Sequence, residues 1–338
     1  MSSLPVVDRP ERLPRDKVCS GMIMGPWANE IIKREFGEIP KDVLVSPYYL
    51  SGHMIHVPGV RPQIFECKMP LAWRKDLDSW MIRKAQESGA VIWDGMKVTR
   101  VEQAQDACIM TVIREASQLE LKSRFVIGAD GAASAVRKSC WPRLKVQFTV
   151  PIRECYEGAL DLPIDYFHWF FPRYRSRPRF GLNHKGGCFL VEGSGIKALR
   201  NEISQILATY GFSSGKEALW KDGCLIPRLH EALISGAFSP ARGNILLVGD
   251  AAGLLLPITF EGIGTGLKSG LLAADSIIEA AHGKKDAAGL YLRKLISVVK
   301  VIKDLQVLNE KLETFPVNDA AKFALALKSA YAETLEVV

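Results

Sequence analysis

Short apolar runs bounded by turn residues recur through the first two thirds of the chain, a pattern typical of β-strands. We predict strands at 3–8, 91–101, 107–113, 119–127 and 244–249, two strand-like runs within 43–72, and further strands mixed into 151–235. The runs at 91–101, 107–113 and 119–127 follow one another closely, so we expect them to form a meander.

Apolar residues at helical spacing predict the remaining elements. Helices are expected at 22–36, 74–89, near 196–211, at 261–282 and through the tail from 284 onwards. In the tail, one apolar stripe is formed by Leu292, Leu295, Ile296, Val299 and Ile302. The stripe indicates packing against a core, and the alternative is contact with a membrane surface, helped by Lys294, Lys300 and Lys303.

Two segments combine a short apolar strand, a Gly–Asp turn and a helix. The first runs from Arg124 to Arg137 and contains Asp130-Gly131, and the second, 243–270, contains Gly249-Asp250. A carboxylate at the end of a strand can hold a sugar hydroxyl, and a glycine-rich helix start offers N–H groups to an electron-rich ligand. Either turn alone is equally compatible with an ordinary Asx turn. Two of them, about 120 residues apart, favour a nucleotide site at the carboxyl ends of the strands.

Three further segments carry a family resemblance: Lys17-Val-Cys19-Ser20-Gly21, the segment that starts at Arg74-Lys-Asp-Leu-Asp78, and Phe167-His-Trp169-Phe-Phe171-Pro172. With the two Gly–Asp segments, they resemble flavoproteins of the para-hydroxybenzoate hydroxylase type, and most of all the geranylgeranyl reductase branch. That branch has Lys-x-Cys-Gly-Gly, a helix that begins with Arg and continues with Asp, and Tyr-x-Trp-x-Phe-Pro. The resemblance covers about residues 3–283.

The resemblance implies FAD as the cofactor. Its binding residues would be Asp8, Cys19, Ser20, Gly21, Arg74, Asp130, Gly131, Gly249, Asp250, Pro257, Glu261, Gly262 and Ile263. Asp8 would hold a ribose, Asp250 the ribityl or phosphate side, and the backbone of 257–266 the isoalloxazine ring. Simpler alternatives are a small buried hydrophobic residue for Cys19 and a solvated helix residue for Arg74.

One family element is missing near the start of the sequence. The family begins with a strand, a Gly-x-Gly-x-x-Gly turn and a helix that seat the pyrophosphate, and no such triplet precedes Asp8. About 30 residues would be absent, given the size of a βαβ unit. Two explanations stay open, a truncated start at Met1 and a chain that has lost its nucleotide clamp. In either case we expect FAD binding to be impaired.

The aromatic segment implies an apolar small-molecule or lipid substrate. Phe167, Trp169, Phe171 and Pro172 would form the substrate wall, while one face of this strand would be plain core. Hydride chemistry would belong to the flavin. Cys19 is the candidate catalytic residue, as a proton donor, and the electrons would come from NAD(P)H or a ferredoxin.

Three functions are compatible with these features. The leading hypothesis is an FAD-dependent reductase of C=C bonds in an isoprenoid or similar apolar substrate. The second is an FAD-dependent monooxygenase or halogenase-like enzyme, although a halogenase would show Trp-x-Trp-x-Ile-Pro instead of Phe-x-Trp-x-Phe-Pro. The third is a non-catalytic remnant without flavin, which the missing glycine-rich turn favours.

The order of the elements predicts an α/β fold of the FAD/NAD(P)-binding, Rossmann-like type, N-terminally incomplete, with an inserted antiparallel sheet and a helical tail. We expect a discontinuous FAD-binding domain (1–42, 73–143 and 238–283), a substrate-binding β-sheet domain (43–72 and 144–237) and a C-terminal helical region (284–338). The flavin ring and the substrate would share the cleft between the first two domains.

Composition limits the remaining possibilities. The chain has 338 residues, 48% hydrophobic and 24% charged, which argues against disorder. Its net charge of +7 indicates a mild preference for anionic ligands or surfaces. The sequence shows no recognisable nucleic-acid-binding module. The seven cysteines include no Cys-x-x-Cys pair, so we expect neither a metal site nor a disulfide framework. We predict a cytoplasmic enzyme without a transmembrane helix, with peripheral membrane contact as the alternative, and no oligomeric state is indicated.

Overall fold

The secondary structure follows the predicted order closely. The computed structural model describes residues 17–105, 107–115, 117–213, 215–283, 286–316 and 319–336, together with the backbone of 5–7. Its helices are α1 (Pro26–Phe36), α2 (Arg74–Glu87), α3 (Ala135–Cys140), α4 (Arg200–Ala208), α5 (His230–Ile234), α6 (Gly249–Ala252), α7 (Ile263–Gly283), α8 (Ala287–Glu313) and α9 (Ala320–Glu336). Its strands are β1 (Pro5–Val7), β2 (Leu44–His56), β3 (Gln63–Ala72), β4 (Val91–Trp93), β5 (Lys97–Gln103), β6 (Cys108–Arg114), β7 (Ser117–Ser123), β8 (Val126–Gly128), β9 (Gln147–Thr149), β10 (Ile152–Glu157), β11 (Tyr166–Phe170), β12 (Phe180–Lys185), β13 (Cys188–Gly193), β14 (Trp220–Gly223), β15 (Ile226–Arg228), β16 (Ala241–Arg242) and β17 (Ile245–Leu247).

A seven-stranded sheet, in the order β14-β10-β13-β12-β11-β2-β3, is formed by the two segments that were predicted as a substrate-binding β-sheet domain. All its strand pairs are antiparallel except β2 with β11. One face packs against α4, where Phe170, Phe180 and Phe189 meet Ile203 and Leu207 in a separate apolar cluster. The sheet is therefore buried on this face, and its opposite face is available to line a cavity.

The segments predicted to bind the nucleotide contain smaller sheets. Strands β8 and β17 pair in parallel with Ile245 opposite Val126 and Leu247 opposite Gly128. Asp130 and Asp250 consequently follow the carboxyl ends of two adjacent strands, as the repeated strand–turn–helix pattern predicted. The predicted α/β, FAD/NAD(P)-binding type of fold is confirmed by this arrangement of sheets and C-terminal helices.

Two predicted strands have wrong boundaries, for local reasons. The run at 91–101 is split by Gly95, whose φ of 72° turns the chain between β4 and β5. The run at 119–127 is also two strands. Its first part, β7, completes the meander with β5 and β6, while β8 leaves the meander and joins β17.

Predicted helix 22–36 is shorter than expected. Helix α1 begins at Pro26 because proline favours the first helical turn, and Gly25 before it has a φ of 82°. Met22 instead forms a bridge with Leu71 of β3.

The C-terminal helices are part of the main core. On α8, Leu295 and Ile302 of the predicted stripe are buried, and Tyr291 donates a hydrogen bond to the Leu247 carbonyl at 2.7 Å. Ile296 of the same stripe is 65% exposed, so packing accounts for most of the stripe but not for this residue. Among the described residues, no helix is both long and apolar enough to cross a membrane.

Candidate functional site

A cavity lies between the residues that follow β17 and the free face of the seven-stranded sheet. The space between its walls is about 1140 Å³ when the open solvent at its mouth is included. Its walls are formed by Lys17, Val18, Cys19, Ser20, Arg74, Thr149, Pro151, Ile152, Arg153, Trp169, Arg177, Arg179, Phe180, Glu192, Gly193, Ser194, Cys224, Leu225, Ile226, Asp250, Leu255, Thr259, Phe260, Gly262 and Ile263. Residues from both predicted halves of the protein therefore meet here.

The Gly249–Asp250 turn places a carboxylate in this cavity. Gly249 has a φ of 52°, a conformation that residues with a side chain rarely adopt. A Cβ on it would also lie only 3.3 Å from the Gly266 Cα of α7, so the turn favours glycine for both reasons. Its N–H donates to Ser269 Oγ at 3.0 Å, which fixes the turn against α7. Asp250 pairs with Lys17 at 3.0 Å. The aspartate is thus held at the cavity with a cation beside it.

The upstream Asp130–Gly131 turn has a different structural role. Asp130 accepts hydrogen bonds from the N–H groups of Ala135 (2.6 Å) and Val136 (3.1 Å), so its carboxylate holds the start of α3. Arg137 of α3 is buried and donates to the Ala251 carbonyl at 2.7 Å. The first motif therefore supports the second through Arg137.

The start of α7 borders the cavity but its first N–H groups are partly occupied. Glu261 Oε1 accepts from Gly264 N–H at 2.6 Å, and burial raises the pKa of Glu261 to about 7. The preceding turn is strained, because Ile258 and Phe260 both have positive φ angles, 71° and 57°. Arg179 donates to the Ile258 carbonyl and holds this turn in place.

Buried cations hold the segment from Lys17 to Gly21 against the sheet. Arg153 donates to the Cys19 carbonyl at 2.6 Å, and Lys185 donates to the carbonyls of Ser20 (2.6 Å) and Ala72 (2.9 Å). Gly21 is required there, since a Cβ would lie 2.0 Å from the Ala72 oxygen. These bonds bring Cys19 and Ser20 to the cavity wall.

Arg74 is a buried member of the same wall. Its side chain is only 14% exposed, forms a two-bond pair with Asp78 at 2.9 Å, and also contacts the Cys19 thiol. The solvated alternative for this arginine is therefore wrong.

The aromatic strand contributes one side chain to the cavity. Trp169 lines it and donates to His53 Nδ1 at 3.0 Å. The Phe167 ring packs against Gly181, and Phe171 is covered by Phe323 and Tyr331 of α9. Phe167, Phe171 and Pro172 stand outside the cavity wall, so of the predicted substrate residues only Trp169 reaches it.

The other predicted site residues divide into two groups. Cys19, Ser20, Arg74, Asp250, Gly262 and Ile263 line the cavity. Gly21, Asp130, Gly131, Gly249, Pro257 and Glu261 lie in the turns around it without being part of its wall. Asp8, the predicted ribose ligand, lies outside the described residues.

The sequence did not single out four charged side chains of the cavity: Arg153, Arg177, Arg179 and Glu192. The run Arg173-Tyr-Arg-Ser-Arg-Pro-Arg179 was a visible basic signal for two of them. Arg153 and Glu192 stand alone in strands, and only strand pairing shows which face they occupy.

The residues present fit the ring end of an FAD. Thr259 Oγ1 is buried in the wall and has no hydrogen-bond partner within the described part of the chain. Gly262 leaves space at the start of α7, where a Cβ would lie 3.2 Å from Asp250 Oδ1. An orphaned hydroxyl, a carboxylate and a helix start therefore converge on one cavity, as a polar ring edge and its ribityl chain require.

Comparison with known proteins finds an FAD-related match and similar bacterial proteins. The FAD binding domain family matches residues 66–156. Protein CbrA of Escherichia coli is similar, with 22% identity over 285 residues that cover 82% of this chain and 75% of CbrA. CbrA of Shigella sonnei is equally similar, covering 82% of this chain and 78% of that protein.

Solved structures share the fold over nearly the whole chain. A geranylgeranyl bacteriochlorophyll reductase-like protein from Thermoplasma acidophilum has a TM-score of 0.75 and 18% identity, covering 97% of this chain and 89% of that one. The p-nitrophenol 4-monooxygenase PnpA from Pseudomonas putida has a TM-score of 0.71 and 14% identity, covering 98% and 89%. The flavin-dependent halogenase CmlS has a TM-score of 0.69 and 15% identity, covering 98% and 65%. The resemblance inferred from the motifs is confirmed, and these matches support a flavin-dependent oxidoreductase.

Proposed function

We propose that this protein is an FAD-dependent oxidoreductase that reduces carbon–carbon double bonds in an isoprenoid or similar apolar substrate. The observation that carries the proposal is one cavity with two walls. Asp250, Gly262 and Ile263 supply the flavin side, and Trp169 of the aromatic strand supplies the substrate side. The similarity to a geranylgeranyl reductase-like structure supports the choice of reaction.

In this proposal FAD supplies the hydride when it is bound, and the protein binds and orients both partners. Asp250 and the start of α7 hold the cofactor. Arg153 and Lys185 keep the Cys19–Ser20 segment beside it through backbone carbonyls. Trp169 is fixed by His53 and presents an apolar surface that excludes water from the substrate. Cys19, which the sequence predicts as the proton donor, lines the same cavity.

The first test is reconstitution of the purified chain with FAD, followed by the visible spectrum and an anaerobic assay with geranylgeraniol. Because the sequence predicts impaired binding, we expect flavin absorbance of the complex only with excess FAD, and saturated product once the flavin is reduced. A chain that binds no flavin even with excess FAD contradicts the proposal, because the described cavity would then serve another ligand. NADPH, NADH and reduced ferredoxin can be compared as electron donors in the same assay.

Oxygen chemistry on the same scaffold is the second candidate. It is favoured by the likeness of the fold to PnpA and CmlS. Oxygen consumption in step with a hydroxylated or halogenated product, with the double bonds left intact, would replace the reductase proposal. The electron donor, the cytoplasmic location and any peripheral membrane contact stay predictions.

A further inference from the structure

One row of side chains crosses the seven-stranded sheet on the face that borders the cavity. The direct partners in neighbouring strands are Ile55, Trp169, Gly181, Glu192, Arg153 and Asp222, in that order. Residues directly opposite in a sheet share a face. Trp169 and Glu192 therefore lie on the same surface of the sheet. They belong to the two strands on either side of the strand that contains Gly181.

Gly181 makes room for an aromatic ring between the indole and the carboxyl. A Cβ at this position would lie 2.6 Å from the Phe167 ring and 3.6 Å from Glu192 Cγ. The Phe167 ring therefore covers Gly181 on the face that carries Trp169 and Glu192. Trp169 and Glu192 themselves both line the cavity, so an apolar group inside it has the indole and the carboxyl in its wall.

The Glu192 carboxyl lines the cavity without a partner among the described residues. It is half-buried and forms no hydrogen bond or ion pair with any of them. Its neighbour in the row, Arg153, instead directs two N–H groups to Asp222 (3.1 and 2.6 Å) and one to the Cys19 carbonyl. A partially buried carboxyl that none of the described groups satisfies is a candidate for contact with a ligand.

The charges around Glu192 suit a group that gains and loses a proton. Burial is the largest cause that raises the pKa of Glu192, to about 7 once the lowering effects of Arg153 and Lys185 and the smaller raising effect of Asp222 are included. The carboxyl is thus partly protonated at neutral pH, and two cations stabilise the carboxylate once the proton has left. A general acid works best in this range.

We propose that Glu192 donates the proton that completes reduction of the substrate double bond. The inference rests on the proposed function and adds a residue to it. The π bond breaks, one carbon forms a C–H bond with the hydride and its two electrons from reduced FAD, and the other carbon takes the proton of the Glu192 O–H. Glu192 is left as a carboxylate and regains a proton from solvent, so the substrate gains two hydrogens and the flavin is oxidised.

The test compares the FAD-loaded wild type with Glu192→Gln, Glu192→Asp and Glu157→Gln. Glutamine keeps the size of the side chain but cannot donate an acidic proton, aspartate restores a carboxyl, and Glu157 is an exposed carboxyl on β10 that serves as the matched control. We expect Glu192→Gln to retain flavin and KM while kcat for geranylgeraniol falls about 100-fold or more. Glu192→Asp should recover part of the loss, and Glu157→Gln should equal the wild type.

A second readout needs no turnover. Infrared difference spectra recorded across pH 5–9 should show a protonated carboxyl band that titrates near neutrality, part of which is lost in Glu192→Gln and retained in Glu157→Gln. The buried Glu261 also has a pKa of about 7, so we expect it to account for the part of the carboxyl band that remains in Glu192→Gln. Glu261→Gln identifies that part directly.

The outcomes separate the two proposals. If the wild type reduces the alkene and Glu192→Gln does so equally well, the donor role is overturned while the proposed function stands. If no band is lost in Glu192→Gln, Glu192 holds no proton near neutrality and the donor role is likewise overturned. If the wild type binds FAD but leaves the alkene intact, the proposed function fails and the donor role fails with it.

Discussion

Arg137, Arg153 and Lys185 are almost fully buried, and each donates to backbone carbonyls of a loop at the cavity. A buried cation is costly unless its hydrogens are satisfied, so each of these side chains fixes the loop that satisfies it. Arg137 holds the segment after Asp250, while Arg153 and Lys185 hold the segment from Lys17 to Gly21. The position of the site residues therefore depends on cations that do not themselves carry the chemistry.

Asp250→Asn tests the carboxylate at the end of β17. We expect FAD affinity to fall about 10-fold or more, because a hydrogen bond to a charged group contributes about 1.5–3 kcal/mol. The free energy of unfolding should change little, since the Lys17 partner is 46% exposed and exposed ion pairs contribute little. Asp275→Asn, on the exposed side of α7, is the control. Flavin titration followed by fluorescence measures both, and equal affinities would remove Asp250 from the cofactor site.

Among the elements, the seven-stranded sheet carries three buried histidines and one half-buried histidine. His53 and His56 lie on β2, His168 on β11 and His184 on β12. Burial lowers the pKa of His53 and His56 to about 3 and that of His168 to about 4. His56 and His168 contact each other through ring nitrogens at 3.0 Å, which one added proton would disturb.

These shifts predict that the fold loses stability in mild acid. The unfolded chain binds protons at histidine near pH 6.5 but the folded chain does not until pH 3–4, so the stabilisation is complete above pH 6.5 and declines as the pH falls. Glu192 and Glu261, with raised pKa values of about 7, act in the opposite direction between about pH 4.5 and 7. Because the three histidines outweigh the two carboxyls, we expect the free energy of unfolding to be lower at pH 5 than at pH 7 by about 1–2 kcal/mol.

This difference in the free energy of unfolding can be measured by urea unfolding at pH 7 and pH 5. The proteins to compare are the wild type, His56→Phe and His282→Phe. Phenylalanine preserves the stacking of residue 56 on Phe170, now at 4.3 Å between ring centroids, and removes the titrating ring. The difference between pH 7 and pH 5 should shrink in His56→Phe and stay unchanged in His282→Phe, whose parent histidine is exposed. An equal difference in all three proteins would show that the buried histidines do not control acid stability.

At the scale of the whole molecule, the C-terminal helices close the core around the site. Helix α9 packs on β2 and β3, and its Tyr331 meets Trp169 with ring centroids 5.1 Å apart. Tyr331 is buried, and burial raises its pKa to about 12. The wall that holds Trp169 in the cavity is therefore completed by residues more than 150 positions later in the chain.

Paired substitutions on α9 test this closure. Leu327 is 0% exposed and Leu325 is 53% exposed on the same helix. Leu327→Ala should lower the free energy of unfolding by about 2–5 kcal/mol because it leaves a cavity in the main core, whereas Leu325→Ala should change it by less than about 0.5 kcal/mol. Thermal or urea unfolding gives both values. Similar small losses would mean that α9 is only loosely attached to the core.

The sequence by itself determined the features that depend on neighbours along the chain. Local conformational preference determines the Gly249–Asp250 turn. Apolar periods of 3.6 and 2 residues determine helices α2 and α7 and the strand that contains Trp169. Because two such turns followed short buried strands, the adjacency of Asp130 and Asp250 could also be predicted. The motif at Asp250 identified the cofactor class for the same local reason.

Only the tertiary structure decided which side chains face the cavity. Phe167, Trp169 and Phe171 share one face of β11, yet Gly181 and α9 cover the two phenylalanines and leave the indole at the wall. Glu192 and Arg153 enter the site through the register of β10, β12 and β13, which joins residues distant in sequence. Strand register and helix packing are set by contacts across the whole core, so the pattern along a single strand cannot distinguish a buried side chain from one that meets a ligand.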